Sequence, residues 1–116
     1  MRSVGAAAGR GEPAAELARD VWVHRLRQAI AAMAASLGGI DALVFTGGIG
    51  EHLPALRALV VDGLAFLGLA LDAETNSRTT TDGEVTGTGA VVRTAVVTAR
   101  EDLQIARLVR ARLADR

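Results

Sequence analysis

The stretch Asp41-Ala-Leu-Val-Phe-Thr-Gly-Gly-Ile-Gly-Glu-His52 restricts what this chain can fold into more than any other part of it. Leu43, Val44 and Phe45 form a short apolar run of strand-favouring side chains, which stops at Gly47, Gly48 and Gly50 before a polar pair and a new helical pattern. The order strand, glycine turn, helix is predicted. Glycine has no Cβ, so backbone amides in such a turn can approach a ligand closely, and a following helix start adds unpaired N–H groups with partial positive charge. A nucleotide suits that place, although spacing alone leaves a plain tight turn without a ligand equally open, short glycine clusters being weak motifs.

Two nucleotide motifs are excluded. The dinucleotide fingerprint G-x-G-x-x-G would need glycines at 48, 50 and 53, and position 53 is Leu53. The phosphate-loop pattern needs a lysine, and all thirteen basic residues are arginines. With 116 residues the chain has room for one modest domain, or a piece of one. Half of it is hydrophobic and the formal net charge is zero, which argues against disorder and against a nucleic-acid or membrane partner, and for a small-molecule or protein one. The absence of cysteine removes disulfides and thiolate chemistry, the apolar runs are too short to span a bilayer, and a cytoplasmic location is expected. Residues 1–11, rich in Gly and Ala, read as a loop with no signal-peptide segment.

Glu12-Pro13 opens a long helix running to Leu37, with Leu17, Val21, Ile30, Met33 and Leu37 at helical spacings as its buried face and Gly38-Gly39 as its stop. His24 lies within it and is assigned no chemistry. After the glycine turn, Leu53-Pro54 starts a second helix with Leu56, Leu59, Val60, Leu64 and Leu67 on one face, weakened at Gly63 and ended by Gly68. Leu69-Ala-Leu71 reads as a short strand, and residues 72–82 as turns and loops. Glu84-Val-Thr86 and residues 91–97 give two more strands, and residues 101–113 an amphipathic helix expected to pack on the sheet. The whole is an α/β arrangement with too few strands for its apolar helices, hence an incomplete domain.

Val44-Phe-Thr-Gly-Gly-Ile-Gly-Glu51, followed by Arg57, Gly63-Leu64, Leu67-Gly68, Asp72 and Asn76, resembles the carboxy-terminal part of acetate kinases, the acetokinase family. The resemblance extends back through Trp22-Val-His-Arg-Leu-Arg27 and Leu37-Gly-Gly-Ile-Asp-Ala-Leu43, and forward to Arg100-Glu-Asp-Leu-Gln-Ile-Ala106, covering essentially all of residues 1–116. It implies part of an actin-like or sugar-kinase-like ATPase domain of the ribonuclease-H-like kind, with the preceding domain absent. The implied reaction is in-line transfer of the ATP γ-phosphoryl group to acetate, giving ADP and acetyl phosphate, with Mg2+ as cofactor and a homodimer as the assembly.

By that resemblance Arg2, Gly48, Ile49, Gly50, Glu51 and His52 are nucleotide-binding and Glu101 is the magnesium-associated acid, a hard oxygen donor for a hard cation. No catalytic residue is carried over, because the family's acetate pocket, catalytic arginines and acid match nothing here; the chain alone is expected to lack kinase activity. A non-catalytic nucleotide-binding or dimerisation module is the alternative. Two positions depart from the family pattern: His52 stands where Asn is usual, and Thr98-Ala-Arg100 stands where Pro-Thr-Asn is usual, placing a guanidinium beside the expected metal ligand.

Overall fold

Pro13 and Gly38 bracket the longest element. In the computed structural model, which describes residues 1–114 apart from the Arg2 side chain, proline occupies the first turn of helix α2 (Pro13–Leu37) and Gly38 closes it in the left-handed conformation at φ 73°. The N–H of Gly39 then reaches the Ala34 carbonyl at 2.8 Å, satisfying one of the orphaned last-turn acceptors. Ahead of α2 lies a second helix, α1 (Arg2–Gly9), where the sequence had suggested a loop. Gly5 and Gly9 weaken it, but Ala8 is 3% exposed, so packing on α2 outweighs poor propensity.

The buried face of α2 is also different from the expected one. Leu17, Val21, Met33 and Leu37 are all exposed, whereas Val23 and Ala34 are buried and Trp22, Leu26, Ile30 and Ala31 pack against the core. Alanine-rich helices can approach a neighbour on their small side chains, and periodicity of the large ones does not reveal which stripe does so.

Strand β1 (Ala42–Phe45) is followed by α3 (Gly47–His52), α4 (Pro54–Asp62), a 3-10 turn (Ala65–Leu67) closed by left-handed Gly68, α5 (Ala73–Arg78), β2 (Gly83–Glu84), β3 (Arg93–Val96) and α6 (Glu101–Ala114). The sheet is three-stranded in the order β1-β3-β2. β1 and β3 are parallel, with Ala42 opposite Arg93 and Phe45 opposite Val96, and β2 runs antiparallel to β3. A parallel pair needs a crossover, which α3, α4 and α5 supply. Phe45, Leu56, Val60, Val61, Leu64, Leu69 and Val92 join Val23 in the core, so the helix face expected for α4 is the one that is buried.

Three further expectations are corrected. Residues 69–71 make a single antiparallel bridge, Leu71 with Thr86, rather than a strand. Gly87 lies so close there that a Cβ would sit 2.7 Å from the Leu71 carbonyl carbon. The polar stretch 72–82 contains α5, whose start is capped by Asp72: its Oδ1 accepts the Thr75 N–H at 2.8 Å, and that bond lowers the Asp72 pKa. Finally, α6 does not pack on the sheet: every described residue of it is exposed, including Leu103, Ile105, Leu108, Val109 and Leu113. The radius of gyration, 16.7 Å, exceeds the roughly 13 Å of a compact chain this long. This is a partial α/β domain. Among the described residues no helix is long and apolar enough to cross a membrane.

Candidate functional site

The chain turns directly from β1 into α3 through Thr46, which is extended at φ −148°, ψ 171°. Thus Gly48, Ile49, Gly50, Glu51 and His52 lie within a six-residue helix, rather than in a turn before one. The three glycines have different reasons to be glycine. Gly47 needs left-handed backbone at φ 74°. Gly50 packs on the end of β1, where a Cβ would stand 3.2 Å from the Phe45 carbonyl carbon and 3.3 Å from its Cβ. Gly48 has neither reason: its φ is not positive, and a Cβ there would meet nothing within 4 Å.

Glu51 is 6% exposed, and its Oε1 accepts the Ala99 N–H at 2.9 Å. Its Oε2 lies 4.0 Å from Nε2 of His52, whose side chain is half-exposed. Behind α3, the buried Arg57 of α4 donates to the carbonyls of Gly50 and Glu51. Ile49 packs against the core. The bond from Ala99 to Glu51 sets the beginning of α6 beside the end of α3, which brings the Glu101 backbone into the neighbourhood of residues 48–52.

The segment before α6 is fastened a second time. Asp82 accepts the Thr98 N–H at 2.7 Å through Oδ1 and Arg100 Nη2 at 2.5 Å through Oδ2. The Arg100 bond is the chief cause of a lowered Asp82 pKa, and the same contact raises that of Arg100. The guanidinium next to Glu101 is therefore engaged by Asp82.

Glu101 itself is exposed, and among the described residues no three His, Cys, Asp or Glu side chains converge as a metal site. Magnesium is commonly held by one or two carboxylates together with phosphates and water. Glu101 fits that chemistry as a single oxygen donor to an ion already carried by phosphates, and as nothing more. The Arg2 side chain lies outside the described residues, so its expected nucleotide contact has no geometry here.

Two features were not foreseen from the sequence. One is the pairing of Arg57 with Asn76, both of which belong to the family resemblance but are not marked there as partners. The other is an open apolar groove of about 860 Å³ between α4 and α5, lined among others by Pro54, Ala58, Leu59, Leu69, Leu71 and Asn76. None of residues 48–52 lines it, nor does Glu101. Its walls carry few polar groups to orient a charged substrate, so the glycine-bearing helix is the better candidate for phosphate chemistry.

Comparison with known proteins identifies the family. The sequence pattern of the Acetokinase family matches residues 1–107. An acetate kinase of Nostoc punctiforme is 44% identical over 106 residues, covering 91% of this chain and 26% of the relative. Among solved structures, the acetate kinase of Porphyromonas gingivalis superposes with a TM-score of 0.82 at 31% identity, covering 91% of this chain and 27% of that one. A propionate kinase from Francisella tularensis gives 0.82 at 33% identity, with the same two shares. The chain thus spans about a quarter of the length of the curated relatives it matches. These matches fix the family and that share of length; the carboxy-terminal placement expected from the sequence does not follow from them.

Proposed function

Because the chain belongs to the acetokinase family, we propose that it supplies a nucleotide-facing wall of an acetate kinase, with residues 48–52 as that wall. The reaction proposed for the complete enzyme is ATP and acetate to ADP and acetyl phosphate. The observation that carries the reading is Gly48. Neither its backbone conformation nor its packing calls for glycine, and a bare Cα there leaves room for a ligand to lie against the main chain. Gly50 and Ile49 support the surface from behind, Glu51 ties it to Ala99, and His52 offers its imidazole at the edge.

Phosphoryl transfer depends on positioning and on neutralising the charge of the transferring group. Bound magnesium would supply part of that neutralisation, with Glu101 holding the ion through one carboxylate oxygen. The chain's own contribution is to orient the nucleotide. Three of its arginines are committed elsewhere: the buried Arg57 to carbonyls, and the exposed Arg93 to Glu84 and Arg100 to Asp82. Accordingly, the isolated chain binds ADP and ATP but makes no acetyl phosphate. Calorimetric titration with ADP and magnesium, alongside an acetyl phosphate assay with ATP and acetate, tests both halves. Absence of ADP binding refutes the wall, and turnover refutes the inactivity.

A second reading, a non-catalytic nucleotide-binding or dimerisation module, draws on the five exposed large apolar residues of α6. Under it the chain self-associates, as a homodimer on sedimentation. Both readings place the protein in the cytoplasm.

A further inference from the structure

Arg57 is 1% exposed, and a cation so deeply buried ordinarily faces a carboxylate. Among the described residues this one faces none. Its Nε donates to Asn76 Oδ1 at 2.8 Å. Nη1 donates to the carbonyls of Gly50 at 2.7 Å and Glu51 at 3.0 Å, and Nη2 to those of Asn76 at 2.7 Å and Thr79 at 2.9 Å. A guanidinium has five N–H donors, and all five are used. Asn76 completes the arrangement by donating from Nδ2 to the Pro54 carbonyl at 2.9 Å.

These acceptors are not scattered. Gly50 and Glu51 lie in the last turn of α3, and Asn76 and Thr79 lie at the end of α5. Helix ends leave carbonyls unpaired and carry partial negative charge, so one cation satisfies two helix C-termini at once. The need is greatest at α3. Six residues are far below the length at which a helix holds itself in water, so its shape has to be imposed by neighbours. A lysine could not do the same, because its three donors form no planar fork.

We infer that Arg57 is a positioning residue for residues 48–52: through the Gly50 and Glu51 carbonyls it fixes the glycine-bearing helix in the orientation that a nucleotide would meet. The ligand in that statement rests on the function proposed above; the clasp rests on the hydrogen bonds alone. Asn76 is its second member, holding the guanidinium plane and tying α5 to the start of α4.

The test is residue-resolved amide exchange in the 116-residue chain and its Arg57→Lys variant, with an ADP titration of each. The Leu53 N–H, which donates to the Ile49 carbonyl at 3.1 Å, is the reporter for α3. Losing the fork is expected to speed its exchange by about tenfold or more and to weaken ADP binding by about as much, while amides of α2 and β3 change by less than about twofold. Unchanged Leu53 exchange overturns the inference, as does ADP binding equal to that of the unsubstituted chain. A uniform rise through α2 and β3 also overturns it, since Arg57 would then serve stability alone. Asn76→Ala removes the Nε acceptor but keeps the backbone carbonyl. It should give a smaller rise confined to the same amides, and it decides the matter if Arg57→Lys does not fold. If the unsubstituted chain binds no ADP, the nucleotide reading fails, and the exchange pattern still judges the clasp.

Discussion

Replacing Gly48 by alanine should separate stability from binding. The added Cβ meets no atom within 4 Å and the backbone there is not left-handed, so nothing in the folded chain resists it. Gly48 sits inside α3, where alanine is favoured over glycine by about 0.5–1 kcal/mol, mostly through the reduced freedom of the unfolded chain. Unfolding entropies near 2.1 cal/mol/K per residue convert that gain to a rise of about 2–4 °C in Tm for a chain of this length. The same methyl group occupies the surface proposed to lie against the nucleotide. A ligand packed against a bare Cα has to move back by about the width of a methyl, which costs on the order of tenfold or more in affinity. Differential scanning fluorimetry and ADP titration on one preparation measure both. A variant that melts higher and binds ADP more weakly bears out the account. One that binds as tightly as the parent shows that Gly48 does not face the ligand, and one that melts lower shows that the space around it is not open.

Two further outcomes follow from core and surface. Leu64, 1% exposed, should cost about 2–5 kcal/mol when replaced by alanine, a drop of roughly 8–20 °C in Tm by the same entropy conversion; a fall of only a degree or two would mean that the core around α4 is loosely packed. Glu84 has its pKa lowered to about 2, first by hydrogen bonds from Arg93 and then by that from Thr86. Because the folded value lies below the unfolded one, its stabilisation is complete above the ordinary carboxylate range and is lost as pH falls toward about 2. Asp82 shifts the same way. Acid should therefore lower Tm less in Glu84→Gln than in the parent, and salt should reduce the difference, both groups being exposed. Identical pH profiles would contradict the pairing.

What could be read from the sequence was what the backbone itself announces. Pro13 and Gly38 mark the ends of α2, and Leu43 to Phe45 mark β1, because those residue types act on local conformation alone. The apolar stripe of α4 was legible for the same reason. α5 was missed inside a polar stretch, although Asp72 as cap and Glu74 in the first turn were its signal. The packing of α2 was misread because its contact runs over Trp22, Val23, Leu26, Ile30 and Ala31, a stripe that the spacing of Leu17, Val21, Met33 and Leu37 does not pick out. α6 kept its amphipathic pattern but not its partner: periodicity says that a face is apolar, not that this chain contains what covers it.

The site shows the same division. Gly47 and Gly50 were visible as letters, and only coordinates distinguish the glycine required by φ from the one required by Phe45 and from Gly48, required by neither. Arg57 was unreadable as a clasp, because four of its five acceptors are main-chain carbonyls, which every residue has. The tie between Glu51 and Ala99 crosses from α3 to the segment before α6, and no spacing rule connects them.

The central claim is that residues 48–52 face a nucleotide, and amide chemical-shift mapping of the 116-residue chain during titration with ADP and magnesium tests it most directly. The account predicts saturable shifts concentrated on residues 47–53, reaching Ala99 through its bond to Glu51, with the groove residues Ala58 and Leu69 little affected. Shifts centred on that groove, or no saturable shifts at all, would contradict it.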